Sequence, residues 1–389
     1  MVSFDNTEIA FKSKSTKDLK RAYWLFKMVS NRTLVKIGKW ATNVAIKLRL
    51  PIDGIIRKTI FKQFCGGISI KDSLSTSQEL EKFNVQTILD YSIEGKTKEE
   101  DFDATVQEII LTILEAKNND ATPFAVFKMT GVCLFETLDK ANNGVSELKD
   151  KDKQEYDKLI NRIDAICNAA HSADVPVFVD AEETWIQNAI DQIVVEMSVK
   201  YNAKRAIVFN TLQMYRHDRL AYLQEQIKQA KEGNYFVGMK LVRGAYMEKE
   251  RDRAEEKGYV SPIQPTKKAT DKDFNEAVKF CVENIDIVSL CAGSHNEESA
   301  MILTELMEEH AISRDDKRIF FAQLLGMSDH ISYNLAHEKY NVAKYVPYGP
   351  VKEVLPYLIR RAEENTSVTG QTTRELSLII KERKRRKER

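Results

Sequence analysis

From about residue 84 onward, eight short apolar runs alternate with longer charged stretches of helical period, and this rhythm constrains the fold more than any other feature. The runs are VQTILDYSIEG (85–95), PFAVFKMTG (123–131), VPVFVDAEE (175–183), RAIVFNTLQ (205–213), YFVGMKLVRGAY (235–246), DIVSLCAGSHN (286–296), RIFFAQLLG (318–326) and VAKYVPYG (342–349). Between them lie segments such as TVQEIILTILEAKNN, QEYDKLINRIDAICNAA and DFNEAVKFCVEN. Strands that are apolar on both faces, separated by amphipathic helices, predict a parallel sheet covered by helices. Eight repeats predict a closed (β/α)8 barrel of the TIM type. The alternative, an open doubly wound sheet, usually carries G-x-G-x-x-G after its first strand. That motif is absent.

Composition narrows the function classes. With 59 Lys+Arg against 58 Asp+Glu the formal net charge is +1, so no large basic field for nucleic acid is expected. Hydrophobic residues at 43% and charged residues at 30% suit a globular chain with a full core. Cys65, Cys133, Cys167, Cys281 and Cys291 form no CxxC pair, which argues against a disulfide framework or a structural zinc site and for a reducing compartment. Six scattered histidines show neither H-x-H nor HExxH spacing, so no metal is expected. There is no G-x-S-x-G elbow for a serine nucleophile. No apolar run approaches the ~20 residues that span a bilayer, and MVSFDNTEIAFKSKS lacks a signal-peptide core.

Barrel enzymes carry their chemistry where the strands end. Those ends hold Glu94, Lys128, Asp180 with Glu182 and Glu183, Asn210 and Gln213, Lys240 with Arg243, His295 with Asn296, Gln323, and Tyr345 with Tyr348. Any one could be bonded to a neighbouring loop. Together they predict a polar mouth above an apolar interior, since unpaired charge inside would cost several kcal/mol. After the last run, Tyr357, Arg360, Arg361 and Glu364 fall on one helical stripe. Paired guanidinium forks suit a carboxylate or phosphate; a solvated Arg–Glu face is the other reading.

Residues 12–50 carry eleven Lys/Arg against Asp18 alone, with Leu34, Ile37, Ala41, Val44 and Leu48 at helical spacing. Two readings are open: a surface for anionic lipid, or a helix packed apolar side inward with its lysines in water. The tail KERKRRKER (381–389) has seven Lys/Arg against two Glu and could equally be lipid-facing or simply solvated. The expected organisation is an N-terminal helical section at 1–83, the barrel at 84–370 and a basic C-terminal helix or tail at 371–389.

The motifs MKLVRGAYMEKE (239–250), AGSHN (292–296), FAQLLGMSDH (321–330) and KYVPYGPVKEVLPYLIRRAEEN (344–365) together resemble the proline dehydrogenase family, from about residue 60, at FCGG, to about residue 368. The last contains Y-x-x-R-R-x-x-E as Tyr357, Arg360, Arg361 and Glu364. The resemblance implies a distorted barrel with its final helix over the mouth, FAD as cofactor, and oxidation of L-proline to Δ1-pyrroline-5-carboxylate with electrons passed to a membrane quinone. It implies a substrate site of Arg360 and Arg361 on the carboxylate, Lys128 as a further cation held by Asp180, Glu94 balancing charge, and Leu241, Tyr246, Tyr345 and Tyr357 around the ring. For FAD it implies Lys240 near flavin N5, Asn210 and Gln213 on the isoalloxazine, Arg243, Gly244 and Ala245 near the phosphates, Ser294, His295 and Asn296 near the pyrophosphate or adenosine, and Gln323 and Leu325 by the adenine.

The chain ends soon after the paired-arginine segment, so a monofunctional enzyme with a separate pyrroline-5-carboxylate dehydrogenase is expected. AGSHN departs from the more usual A-T-H-N but keeps a hydroxyl in Ser294. Tyr345 against the ring would disfavour an added hydroxyl, which favours proline over 4-hydroxyproline, the alternative substrate. The expected location is cytoplasmic, peripheral to the inner membrane, or the mitochondrial inner membrane for a eukaryotic source; Asp5, Glu8 and Asp18 argue against an acid-poor transit peptide.

Overall fold

The eight expected runs are the eight strands of a computed structural model that describes residues 2–48, 53–91, 96–367 and 371–388. They are β1 (Gln86–Tyr91), β2 (Phe124–Lys128), β3 (Val177–Asp180), β4 (Val208–Gln213), β5 (Val237–Val242), β6 (Val288–Gly293), β7 (Ile319–Leu324) and β8 (Val342–Tyr348). All pair in parallel and close into a barrel in chain order. Burial on both faces is why they read as continuous apolar runs rather than alternating ones; β4 and β8 are buried at every position.

By density of contacts the chain forms two compact units, residues 95–322 and residues 1–94 with 323–389. In the first, the helices Glu99–Lys117, Asp150–Ala173 and Thr184–Tyr201 cover β2 to β4. Ile109, Ile113, Leu159, Ile163, Ile190 and Ile193 pack against Val177, Val179 and Val208. Phe124 stacks on Phe178 at 4.3 Å between centroids and meets Phe209 and Phe320 edge-on, at 5.7 and 4.7 Å. A Cβ at Gly238 would lie 2.4 Å from the Phe209 ring, so only glycine leaves room for that ring.

In the second unit the helices Thr16–Val29, Leu355–Ser367 and Gln371–Lys387 share a core. Leu19, Leu25 and Phe26 meet Val354, Tyr357 and Leu358, and Leu378 and Ile379 complete the cluster. The basic C-terminal stretch is thus a packed helix. Arg386 donates to the carbonyls of Lys14 and Phe11, both at 2.8 Å, and Lys381 to that of Asp5 at 2.9 Å. Buried Lys344 lies 3.0 Å from Asp329, which also faces Lys14 at 3.5 Å.

The Arg32–Lys47 helix forms as its periodicity indicates, but with the apolar stripe outward, contrary to the packed-inward reading. Leu34, Ile37 and Leu48 are exposed, while Val35, Thr42 and Val44 are half-buried, Val35 against the core of this unit. No helix among the described residues is long and apolar enough to cross a membrane.

Candidate active site

The residues ending β2 to β6 converge within the 95–322 unit. Lys128 ends β2 and Asp180 ends β3, in register with each other. Lys128 Nζ donates to Asp180 Oδ2 at 2.7 Å, and Lys240 on β5 donates to the other oxygen, Oδ1. Lys240 also lies over the Phe178 ring, 5.3 Å from its centroid, so the phenylalanine cluster floors the ionic group. Burial by itself would push the Asp180 carboxyl up; the Lys128 and Lys240 ammoniums outweigh it and hold the group well below the usual carboxylate range. Within these three residues one carboxylate stands against two ammoniums, a formal charge of +1.

Glu182, two residues past Asp180 and one of the polar strand-end residues, is buried. Its oxygens accept from the Thr130 N–H at 3.0 Å and from the Thr130 hydroxyl, which anchors the segment just beyond Lys128. Burial raises its pKa to about 7, against the opposing pull of the Thr130 bonds. The native state therefore holds an extra proton between the unfolded value, about 4.5, and 7. More protons in the native than in the unfolded state means stability that is fully present below that window and falls as pH rises through it. Thermal melts should show a decline of a few kcal/mol from pH 5 to 7 in the wild type and a flatter profile in Glu182→Gln. Parallel profiles would reject the assignment.

Asn210 and Gln213 are tied into the same strand ends. Asn210 Nδ2 donates to Asp191 at 3.0 Å, and Asp191 also takes a bond from Arg219 at 2.6 Å. Gln213 Nε2 donates to the Glu182 carbonyl at 2.7 Å, while its Oε1 accepts from the Ala245 N–H at 3.1 Å. Asn210 thus braces the Thr184–Tyr201 helix and Gln213 the loops after β3 and β5, the neighbour-bonded alternative that the sequence left open. Leu241 is fully buried on β5, on the opposite face from Lys240 by strand alternation.

Past β5 and β6 a second group assembles. Arg243 donates to Asp271 at 2.7 Å, to Ser294 Oγ at 2.7 Å and to Ser299 Oγ at 2.9 Å, with its guanidinium over the Phe274 ring. Asn296 caps the Glu297–Glu309 helix by accepting from the Ser299 N–H. A fixed guanidinium beside a helix N-terminus is the donor set that an anionic phosphate requires, so these residues fit the pyrophosphate of a dinucleotide. Ala245 is exposed, while Tyr246 and His295 are half-buried nearby in sequence. Asp271 and Ser299 were missed; the N-x-x-S spacing after AGSHN is the helix-start signal that could have pointed to Ser299.

Gly244 takes a φ of +129°, and a Cβ there would lie 2.6 Å from the Tyr215 ring. Gly244→Ala should cost about 1–3 kcal/mol from backbone strain with further loss from the clash, and should weaken cofactor retention on gel filtration. An unchanged melting temperature would refute that reading.

The remaining candidates belong to the other unit. Gln323 accepts from the Ser332 hydroxyl at 2.8 Å, and the Leu325 N–H donates to the Tyr345 carbonyl at 2.8 Å. Tyr345, Tyr357 and Arg361 are buried, Arg360 is half-buried, and the Arg361 guanidinium lies 5.3 Å from the Tyr357 ring centroid. Tyr348 packs on Tyr91 at 5.3 Å. Glu94 lies outside the described residues, as do the side chains from 362 to 372, Glu364 among them.

A parallel barrel whose strand ends carry a buried lysine–aspartate–lysine cluster and an arginine at a helix start defines the class: a barrel enzyme with sites for polar, anionic ligands. The proline dehydrogenase family model matches residues 73–374. Proline dehydrogenase 1, mitochondrial, of Dictyostelium discoideum is 33% identical over 98% of this chain and 74% of its own length. The Drosophila melanogaster protein of the same name is 41% identical over 62% of this chain, which spans only 37% of that relative. Among solved structures, proline utilization A (PutA) from Bdellovibrio bacteriovorus, inactivated by N-propargylglycine, superposes with a TM-score of 0.73 at 19% identity, covering 93% of this chain and 38% of that one. This chain belongs to the proline dehydrogenase family.

Proposed function

We propose that the protein oxidises L-proline to Δ1-pyrroline-5-carboxylate, the first step of proline catabolism, with FAD as cofactor and a membrane quinone as electron acceptor. The observation that carries the reading is the Lys128–Asp180–Lys240 cluster, two cations held on one buried carboxylate at the mouth end of the strands. FAD, when bound, supplies the acceptor at N5 for the hydride leaving proline C5. The chain's part is to bind, orient and exclude water. Lys240 is the cation assigned to the negative charge that develops at the acceptor, and Asp180 holds it by an ion pair rather than leaving it free to move. Lys128, on the other oxygen of Asp180, and the Arg360/Arg361 pair are assigned the substrate carboxylate, since guanidinium forks take planar anions in bidentate fashion. Glu94 is assigned to balance that charge.

Tyr246, Tyr345 and Tyr357 are assigned the walls around the ring; Leu241, on the face of β5 opposite Lys240, is not. Arg243, Gly244, Ala245, Ser294, His295 and Asn296 are assigned the pyrophosphate and adenosine, Gln323 and Leu325 the adenine side, and Asn210 and Gln213 the flavin edge. Positioning of this kind lowers a barrier by several kcal/mol when the reacting atoms are held near attack distance. The product then passes to a pyrroline-5-carboxylate dehydrogenase activity. The compartment follows the source: the cytoplasmic face of a bacterial inner membrane or the mitochondrial inner membrane, the organelle in the names of the two relatives above.

An anaerobic visible spectrum tests the reading. The purified protein should show oxidised flavin that L-proline bleaches and trans-4-hydroxy-L-proline bleaches far less, as a tyrosine at 345 against the ring implies. Flavin that neither amino acid bleaches would remove the substrate. A colourless protein that does not take up FAD would remove the activity.

A further inference from the structure

The Arg32–Lys47 helix presents three distinct sides. Val35 and Thr42 turn toward the protein. Leu34, Ile37, Trp40, Val44 and Leu48 follow one another at helical spacing on another side. Of these, Leu34 is 49% exposed, Ile37 55%, Trp40 67% and Leu48 63%. Lys36, Lys39 and Lys47 fall along one flank of that stripe, and all three are exposed. The preceding helix, Thr16–Val29, adds Trp24 at 51% and Met28 at 48%, one turn apart.

Single exposed apolar residues are ordinary, but five large ones on two consecutive helices, with Leu48 just past the second, mark an interaction surface. Charge selects the partner. From Lys20 to Lys62 there are eleven Lys/Arg against Asp53 alone, in a chain whose net charge is only +1. A protein partner or a second copy would have to neutralise that excess with acids, and a second copy brings the same cations. An anionic bilayer surface supplies negative headgroups for the flank and an acyl boundary for the tryptophans together. The other basic stretch is already engaged: in 381–389, Lys381 and Arg386 bond main-chain carbonyls, Arg385 pairs with Glu382 and Glu8, and Arg383 lies over Tyr23.

We propose that the Leu34–Leu48 stripe, with Trp24 and Met28, is the surface by which this protein lies on an anionic lipid bilayer. The proposal deepens the quinone reading above and rests on it only for its purpose. Such placement would bring the enzyme to a lipid-soluble acceptor.

The test uses FAD-loaded full-length protein and sedimentation with vesicles of phosphatidylcholine alone or with phosphatidylglycerol. Wild type should bind the mixed vesicles, release in high salt, and show a blue shift in tryptophan emission that Trp24→Phe/Trp40→Phe removes. Ile37→Glu/Trp40→Glu should weaken vesicle binding at least about tenfold, and so should Lys36→Glu/Lys39→Glu, with melting temperature and proline oxidation by a soluble dye unchanged. Wild type that ignores vesicles, either variant pair binding as wild type, or a dimer broken by Ile37→Glu/Trp40→Glu would each overturn the lipid surface. Loss of dye reduction in wild type would instead remove the enzymatic reading and leave vesicle binding to be judged separately.

Discussion

Asp180→Ala should lower the melting temperature by roughly 10 °C and proline oxidation by at least about a hundredfold. The structural half follows from burial. Asp180 is 8% exposed and faces half-buried Lys128 at 2.7 Å on one oxygen and buried Lys240 on the other, so its removal takes away the carboxylate that both ammoniums share. Breaking a buried ion pair by deleting one partner costs about 3–5 kcal/mol, because the surviving charge is uncompensated, and each kcal/mol is about 2–4 °C in a domain of this order. The catalytic half follows from position: both lysines are assigned ligand-facing roles, and a displacement of about 1 Å costs about a hundredfold. Lys128→Met/Asp180→Leu/Lys240→Met, which removes every charge, should recover most of the stability and none of the activity. Calorimetry and single-turnover flavin reduction separate the two. Asp180→Ala melting like wild type would show that the cluster does not hold the strand ends. The acid limit follows the same logic: the Asp180 carboxyl is held below its unfolded value, so its stabilisation is present above about pH 4 and is lost as pH falls through the lower folded value.

Arg361→Met should cut kcat/KM for L-proline by about thirtyfold to a few thousandfold, mostly through KM. Truncating one partner of a buried, hydrogen-bonded charge pair costs about 2–5 kcal/mol, and each 1.4 kcal/mol is about tenfold. Arg361 is 9% exposed and braced near the Tyr357 ring, so its fork is held rather than free to reorient. Arg361→Lys retains the charge but loses the planar fork, and should recover only part of the loss. Pyrrolidine, the same ring without a carboxylate, provides the control. It should react slowly with wild type and no more slowly with the variant. Equal losses on proline and pyrrolidine would show a packing role rather than a carboxylate clamp.

The barrel was legible because parallel strands buried on both faces become continuous apolar runs, and each of the eight runs contains its strand. Strand ends were legible for the same reason: Lys128, Asp180 and Gln213 are the last residues of their strands, where the apolar run must stop. What a polar end does once placed was less legible. Asn210 and Gln213 look like ligand contacts in the sequence, yet their amides brace Asp191, Glu182 and Ala245. Glu182 stands beside Glu183 in one acidic run, and nothing local separates the residue bonded to Thr130 from the one paired with Lys249.

The N-terminal helix shows the same limit. Spacing identified Leu34, Ile37, Ala41, Val44 and Leu48 as one side of a helix, but periodicity defines a side and not its neighbour. In the folded chain Val35, Thr42 and Val44 are half-buried, and Leu34, Ile37, Ala41 and Leu48 of that side are left exposed. The KERKRRKER tail reads as lipid-facing or solvated charge, yet Leu378 and Ile379 just before it are buried and Arg386 closes on carbonyls 372 and 375 residues away.

Sequence alone determined where each element lies, that eight strand–helix repeats close into a barrel, and which end of each strand carries polar side chains. These follow from nearest-neighbour periodicity and from the cost of burying charge. Tertiary structure alone decided which polar groups meet. The pairs Lys128–Asp180 and Lys240–Asp180 join residues 52 and 60 positions apart. Their ionisation depends on burial that only the closed barrel creates, because no local pattern encodes the dielectric a side chain meets after folding.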